Sequence, residues 1–217
     1  MKKLLLSIML VLGIATSGWA TTYDFSYYLT VPNSGLSVAT GPYASIGINL
    51  NGTGTVATFD VLAEPGFSLV NGKMFDINTS AAATVSSIVE TAQPGFNVET
   101  PTVTYNGNPH VSDFGKFNIW ISNPTASNLI SELTFSLNRT SGSWSSASDV
   151  LSVNGTGYFS AGHIAINNMF DTEGSRITGF AGNGEPPTVP EPGTLLLLGG
   201  GLFGLAVYGK RRMNRES

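Results

Sequence analysis

The sequence contains no cysteine. Disulfides and thiolate metal sites are therefore excluded as sources of stability, even for a chain that reaches an oxidising compartment. The folded state has to be held together by a buried hydrophobic core or by bound ions. The stretch between the two chain ends holds about 170 residues, enough for one such core and too few for two.

Basic residues are scarce in this central stretch. From residue 21 to residue 190 there are twelve Asp or Glu residues, and the four basic residues are Lys73, Lys116, Arg139 and Arg176. A general nucleic-acid binder needs a basic surface to displace the counterions of the phosphate backbone. The composition therefore excludes that class, and it argues against binding to anionic lipid. A surface rich in Ser, Thr, Asn and Gly is typical of secreted all-β proteins.

Histidine is rare as well, and His110 and His163 are the two candidates for proton transfer at neutral pH. Neither lies in a nucleophile elbow or shows metal-ligand spacing. His163 falls inside a predicted strand, which favours a structural role. His110 lies in a loop three residues before Asp113, and that spacing fixes no geometry in a loop. We predict no catalytic residue, no cofactor and no bound metal, and we expect that the protein is not an enzyme.

One short loop offers oxygen ligands for a hard cation such as Ca²⁺. It runs from Asp171 through Thr172 and Glu173 to Gly174, with Asn167 and Asn168 upstream. The spacing does not match a twelve-residue EF-hand loop. A solvated acidic turn is the favoured interpretation.

Aromatic residues suggest a second binding hypothesis, because flat rings complement the faces of pyranose sugars. The candidates for a sugar-stacking platform are Tyr23, Phe25, Tyr27 and Tyr28, or Trp120 and Trp144. Tyr23, Phe25 and Tyr27 share one face of a predicted strand, so packing in the core explains them equally well.

Four Asn-x-Ser/Thr sequons are present, at Asn51, Asn78, Asn138 and Asn154. Such sequons arise readily by chance in a chain rich in Asn, Ser and Thr. We do not interpret them as glycosylation sites.

The N-terminus has the organisation of a secretory signal peptide. Lys2 and Lys3 form a basic region, an apolar run follows from residue 4 to residue 14, and small residues precede the predicted cleavage between Ala20 and Thr21. We therefore predict a signal peptide over residues 1–20, removed by signal peptidase.

The C-terminus combines a proline-containing segment, an apolar segment and a basic tail. Residues 194–209 carry no charge, and as a helix they would span about 24 Å, slightly less than a hydrocarbon core. Four glycines weaken that helix, which suits a transient tether. The basic residues of the tail, 210–217, are expected to stay in the cytoplasm and to leave the rest of the chain outside. Pro190 and Pro192 keep the preceding segment extended and open to a protease.

The order Val189, Pro190, Glu191, Pro192, then a membrane-length segment, then basic residues resembles the PEP-CTERM sorting signal of exported bacterial proteins. The resemblance implies that an exosortase-type membrane enzyme recognises the motif, cuts nearby and passes the ectodomain on. It also implies an association with exopolysaccharide. An ordinary C-terminal anchor behind a proline-rich stalk is the alternative interpretation of the residues.

Alternation of apolar and polar residues predicts strands between the two ends. It is clearest at 117–121 and 129–137, which we expect to be neighbouring antiparallel strands joined by a polar turn. Further strands are predicted at 23–31, 44–50, 56–63, 83–90, 98–105, 150–153 and 158–166, and one helical turn at 145–149 with Ser143 or Ser145 as its cap. These elements predict an all-β fold, an antiparallel β-sandwich of about nine strands.

Two short sequence echoes are interpreted as reused turn chemistry. Pro65-Gly66 and Pro94-Gly95 fit type II turns, whereas Asn51-Gly52 and Asn154-Gly155 fit type I′ hairpins. An internal repeat is the alternative interpretation.

The predicted organisation is therefore a signal peptide (1–20), a β-sandwich ectodomain (21–182), a stalk with the sorting motif (183–193), a transmembrane segment (194–209) and a basic cytoplasmic tail (210–217). Parts of the stretch from 114 to 180 also look like ectodomains of uncharacterised PEP-CTERM proteins, which carry no activity to transfer. We expect an exported protein, tethered to the inner membrane before processing and then at the cell surface or outside, with a noncatalytic role. A carbohydrate-binding module and an extracellular hydrolase are the alternatives.

Overall fold

The computed structural model of the chain describes residues 22–70, 72–105, 110–123 and 128–184. The described residues form thirteen strands rather than about nine. The strands are β1 (Phe25–Pro32), β2 (Ala44–Leu50), β3 (Val56–Ala63), β4 (Phe67–Val70), β5 (Gly72–Ile77), β6 (Ala83–Ala92), β7 (Thr102–Tyr105), β8 (His110–Val111), β9 (Gly115–Lys116), β10 (Ile119–Asn123), β11 (Leu129–Arg139), β12 (Ser160–Phe170) and β13 (Arg176–Gly184). Three 3₁₀ turns lie at Ser34–Leu36, Ser112–Phe114 and Ser148–Val150.

The all-β prediction is confirmed, but the strands do not divide into two separate sheets. Eleven strands form one antiparallel sheet in the order β13-β1-β2-β3-β11-β4-β12-β5-β10-β7, with β6 on β11, while β8 and β9 form a separate ribbon. Because β13 pairs with β12 as well as with β1, the hydrogen-bonded path returns on itself. A continuous, strongly curved sheet therefore replaces the two independent sheets that we expected.

The described residues form three hydrophobic clusters, and the largest is the core inside this curved sheet. Phe135 of β11 stacks on Phe59 of β3, with ring centroids 4.8 Å apart, and contacts Phe75 of β5 at 6.1 Å. Its ring therefore joins side chains from the β3–β11 half of the sheet to side chains from the β5–β12 half. The two halves face each other across a common core, so the packing resembles that of a sandwich although the hydrogen bonding is continuous.

The strand predictions succeed where one face of the strand is buried. Along β11, Leu133, Phe135 and Leu137 are fully buried and the residues between them are half-buried, which confirms the predicted alternation. The predicted pairing of 117–121 with 129–137 is wrong. β10 pairs with β5 and β7, whereas β11 pairs with β3, β4 and β6.

Three local predictions also need correction. Residues 150–153 do not form a strand, because a 3₁₀ turn ends at Val150 and Leu151 makes a single bridge to Thr79. That turn is displaced from the predicted 145–149 and has Ala147 as its N-cap, without a capping side chain. The strand predicted at 98–105 begins only at Thr102.

The Pro-Gly turns have the predicted type II geometry. Gly66 and Gly95 have φ of 92° and 89°, and in each turn the fourth residue donates its N–H to the carbonyl of the first. The Asn-Gly turns are not type I′, because positive φ falls on Gly54 and Gly157 and not on the glycine directly after Asn. Both pairs of turns do repeat the same local chemistry, as the sequence suggested.

Within the described ranges, no helix has both the length and the apolar character needed to cross a membrane. The segment predicted to do so, 194–209, lies outside these ranges.

Candidate functional site

The residues predicted for processing lie outside the described part of the chain. These are Ala20 and Thr21 at the predicted signal cleavage, and Val189, Pro190, Glu191 and Pro192 of the sorting motif. β13 ends at Gly184, five residues before Val189 in the sequence.

The two histidines lie on different strands. His110 is exposed on β8, and its backbone carbonyl accepts a hydrogen bond of 2.7 Å from Lys73 Nζ. His163 is half-buried on β12, where its ring stacks on Phe180 at 4.6 Å. Asp113 is exposed in the 3₁₀ turn after β8. The stacked position of His163 agrees with a structural role.

The acidic loop after β12 uses its oxygens to close its own turn. Asp171 Oδ1 accepts the N–H groups of Glu173 at 2.9 Å and Ser175 at 2.8 Å. Asn167 is directed elsewhere, because its side chain bonds Ser68 and the carbonyl of Phe67. The structure therefore does not bring the proposed Ca²⁺ ligands together. In the described ranges, no three His, Cys, Asp or Glu side chains are grouped so that they could hold a metal.

The asparagines of all four sequons donate hydrogen bonds within the fold. Asn78 bonds Ser152, and Asn138 bonds Ser86 at 2.7 Å. Asn51 and Asn154 close their own turns through side-chain oxygens, and their amide nitrogens also donate. These side chains are structural.

Buried polar atoms without a hydrogen-bond partner in the described residues include both carboxylate oxygens of Asp76 and the amide nitrogen of Asn128. The buried hydroxyls of Tyr27 and Ser160 lie next to each other. No sequence pattern indicated these positions. Burial raises the pKa of Tyr27 and raises the pKa of Asp76 well above its usual range, although the charge of Lys73 partly lowers the latter. A carboxyl with a raised pKa is often catalytic. Asp76 is fully buried, however, and has no surface open to a substrate.

A small cleft lies beside the edge strands β6 and β7, which pair with β11 and β10 respectively. It has a volume of about 460 Å³. Its lining consists mainly of small and hydroxyl-bearing residues, including Ser80, Thr84, Tyr105 and Thr140. The Tyr105 hydroxyl accepts the N–H of Val85 at 2.7 Å and so bridges β7 to β6. The lining residues therefore offer hydrogen-bonding groups, and none of them is charged.

A polar surface covers the outer side of β1, β2, β3 and β11, opposite to the core. We call it the outer polar face, and it is formed by Tyr23, Ser26, Tyr28, Ser45, Gly47, Asn49, Thr58, Asp60, Glu132, Thr134 and Ser136. The half-buried Leu62 lies among them, between Ser45 and Glu132. Strand register places these residues in rows across the sheet. One row runs from Ser26 through Gly47 and Asp60 to Thr134.

Tyr23 lies on this face rather than in the core. Its ring rests on Gly47, so closely that a Cβ at residue 47 would overlap the ring. Burial raises the pKa of the Tyr23 hydroxyl, and the charge and hydrogen bond of Asp60 raise it further. Thr134 Oγ1 donates to Asp60 Oδ1 at 3.1 Å, so the tyrosine, the carboxylate and the threonine are neighbours.

The predicted aromatic platform therefore needs revision. Tyr27 is buried in the core against Phe159, Phe25 packs against the same core, and Trp144 is also buried. Trp120 is half-buried on β10. Only Tyr23 and Tyr28, among the residues named from the sequence, lie on the outer polar face.

A family model for the PEP-CTERM protein-sorting motif matches residues 188–212. The chain thus carries the sorting motif of exosortase substrates, as the resemblance implied. No curated protein and no solved structure matches the chain.

Proposed function

We propose that the protein is an exported component of the cell envelope or extracellular matrix, with a noncatalytic structural or interaction role linked to exopolysaccharide. The observation that carries this proposal is the sorting motif at 188–212. The acidic, cysteine-free domain described above is compatible with a function outside the cytoplasm.

The proposed sequence of events has four steps. Signal peptidase cuts between Ala20 and Thr21 during export, and residues 194–209 then hold the chain in the inner membrane. The basic tail stays on the cytoplasmic side. An exosortase-type enzyme cuts near Pro190 and Pro192, after which the ectodomain is attached to the surface or released.

A carbohydrate-binding module is the second candidate, favoured by the outer polar face with Tyr23 lying across Gly47. An extracellular hydrolase would need a converging acid pair or a histidine-centred triad in a cleft. Asp76, the acid with the strongly raised pKa, is fully buried, and this supports a noncatalytic role.

Intact-mass analysis of membrane and extracellular fractions from the native host tests the processing. We expect an extracellular species that begins at Thr21 and ends near Pro192. Replacing both Pro190 and Pro192 by Ala should retain the chain in the membrane fraction, whereas the matched change of Pro186 and Pro187 should not. An extracellular protein that still ends at Ser217 would contradict the proposal.

A further inference from the structure

We propose that the outer polar face binds an uncharged polysaccharide, with the ring of Tyr23 as its stacking surface. This inference deepens the proposed link to exopolysaccharide and rests on it for the class of partner. It states where on the protein the polysaccharide binds and that this polysaccharide is uncharged.

The first argument is the position of the Tyr23 ring. One side of the ring is supported by the backbone at Gly47, where no side chain intervenes. Tyr23 is partly buried, so part of its side chain is open to solvent. A flat ring supported from behind loses little freedom when a sugar stacks on it, and its hydroxyl gives one end of the ring a polar contact.

The second argument is the supply of hydrogen-bonding groups around that ring. Asp60 and Glu132 lie near Tyr23 and provide carboxylate acceptors. Thr134 Oγ1 already donates to Asp60 Oδ1, and Thr91 Oγ1 donates to Glu132 Oε2 at 3.4 Å, so each carboxylate is oriented by a threonine. Carboxylates form strong charge-assisted hydrogen bonds with hydroxyl donors. A few polar groups beside an apolar surface are the usual means by which a site orients a ligand.

The third argument is the shape of the face. Four adjacent strands, from β1 to β11, form it without an intervening loop. Three inter-strand spacings give a width of about 14 Å. Tyr28 adds a second half-buried ring on the same face, two residues along β1 from Ser26. An extended chain of several sugars fits such a surface better than a small compact molecule does.

The fourth argument is charge, which selects among polysaccharides. None of the residues that define the outer polar face is Lys, Arg or His, and two of them are carboxylates. A uronate or sulfate group on the ligand would be repelled there. The face therefore fits an uncharged polysaccharide and excludes an anionic one.

Affinity electrophoresis of the full-length chain in a neutral detergent tests the proposal. The gels contain hydroxyethylcellulose, galactomannan or dextran as uncharged probes, and alginate as the anionic probe. We expect at least one uncharged polysaccharide to retard the chain and alginate not to do so. No retardation by any of the three, or stronger retardation by alginate, would overturn the inference.

Variants then locate the binding. Both Tyr23→Ala and Gly47→Ala should weaken retardation by about tenfold or more, since the first removes the ring and the second displaces it. Phe170→Ala is the matched control, because this aromatic residue is 53% exposed at the end of β12, away from the outer polar face. Circular dichroism checks that each variant is folded. Folded Tyr23 and Gly47 variants that bind like the wild type would place the binding elsewhere.

The result is separable from that of the processing experiment. A chain that is cut near Pro192 but binds no uncharged polysaccharide would leave the sorting proposal intact and end this one. A chain that binds an uncharged polysaccharide but still ends at Ser217 would support this inference and contradict the sorting proposal.

Discussion

Asp76 is the last residue but one of β5 and has no exposed surface, and neither of its carboxylate oxygens has a hydrogen-bond partner in the described residues. Burial raises its pKa well above the usual value, and the charge of Lys73 offsets only part of that effect. The folded state therefore keeps the carboxyl protonated over a range of pH in which the unfolded chain ionises it.

The sign of the effect on stability follows from this difference. Below the unfolded pKa of about 3.9, Asp76 is protonated in both states, so its ionisation does not change the free energy of unfolding. Above it, the unfolded state releases a proton that the folded state retains, so the free energy of unfolding falls by about 1.4 kcal/mol per pH unit. The fall ends once pH passes the folded pKa.

Asp76→Asn removes the ionisation and keeps the shape of the side chain. We expect the variant to resemble the wild type near pH 3 and to become progressively more stable than the wild type as pH rises. In a domain of this size, 1 kcal/mol corresponds to about 2–4 °C, so the gap in Tm should widen by about 3–6 °C per pH unit inside the window.

Thermal unfolding followed by circular dichroism between pH 3 and pH 8 measures the gap. Asp113→Asn serves as the matched control, because it makes the same change of side chain at an exposed position. A gap for Asp76→Asn that does not vary with pH, or a variant that is less stable at neutral pH, would refute the reasoning.

Two further predictions concern packing and backbone geometry. Phe135→Ala should lower the free energy of unfolding in urea by about 3–5 kcal/mol because its ring is fully buried, whereas Phe170→Ala should change it by less than about 0.5 kcal/mol. Equal effects of the two changes would contradict the assigned core. Gly54→Ala should cost about 1–2 kcal/mol or more, since Gly54 has φ of 69° and a Cβ there would overlap the carbonyl oxygen of Trp144. Gly52→Ala faces open space and should be nearly neutral in the same urea titration, and a comparable loss at both positions would show that the turn is assigned incorrectly.

The sequence predicted β11, where burial is one-sided, and missed β5, where it is not. β11 alternates because one of its faces lies on the core. In β5, Met74, Phe75, Asp76 and Ile77 are all buried, so the strand shows no alternation to detect. A carboxyl at such a position also has no local sequence signal, and the unpartnered Asp76 could not be anticipated.

β13 was missed for a different reason. Its glycines give it a low strand propensity, yet two of them are required by close contacts. A Cβ at Gly179 would lie 2.6 Å from Asn33 Oδ1, and one at Gly182 would lie 2.5 Å from the ring of Phe114. Both partners are distant in sequence, so their proximity is a property of the assembled fold.

The candidate site shows the same limit. Tyr23, Phe25 and Tyr27 have the spacing of one strand face, and the sequence therefore grouped them. The chain becomes a strand only at Phe25, and Tyr23 turns instead onto Gly47 of the neighbouring strand. The signal available in the sequence was the lone glycine within β2, since such a glycine often marks a close approach by another group.

The sorting motif and the outer polar face are expected to act independently, because the strand that connects to the motif is held on both sides. β13 pairs with β12 and with β1, and the last of its residues, Gly184, lies opposite Tyr28. A cut near Pro190 falls beyond these ladders and removes none of their hydrogen bonds. The Tyr23→Ala chain should therefore still be processed in the native host, and the chain with altered Pro190 and Pro192 should still bind polysaccharide. Loss of both properties in either variant would show that the two regions are coupled, in conflict with the ladder pattern of β13.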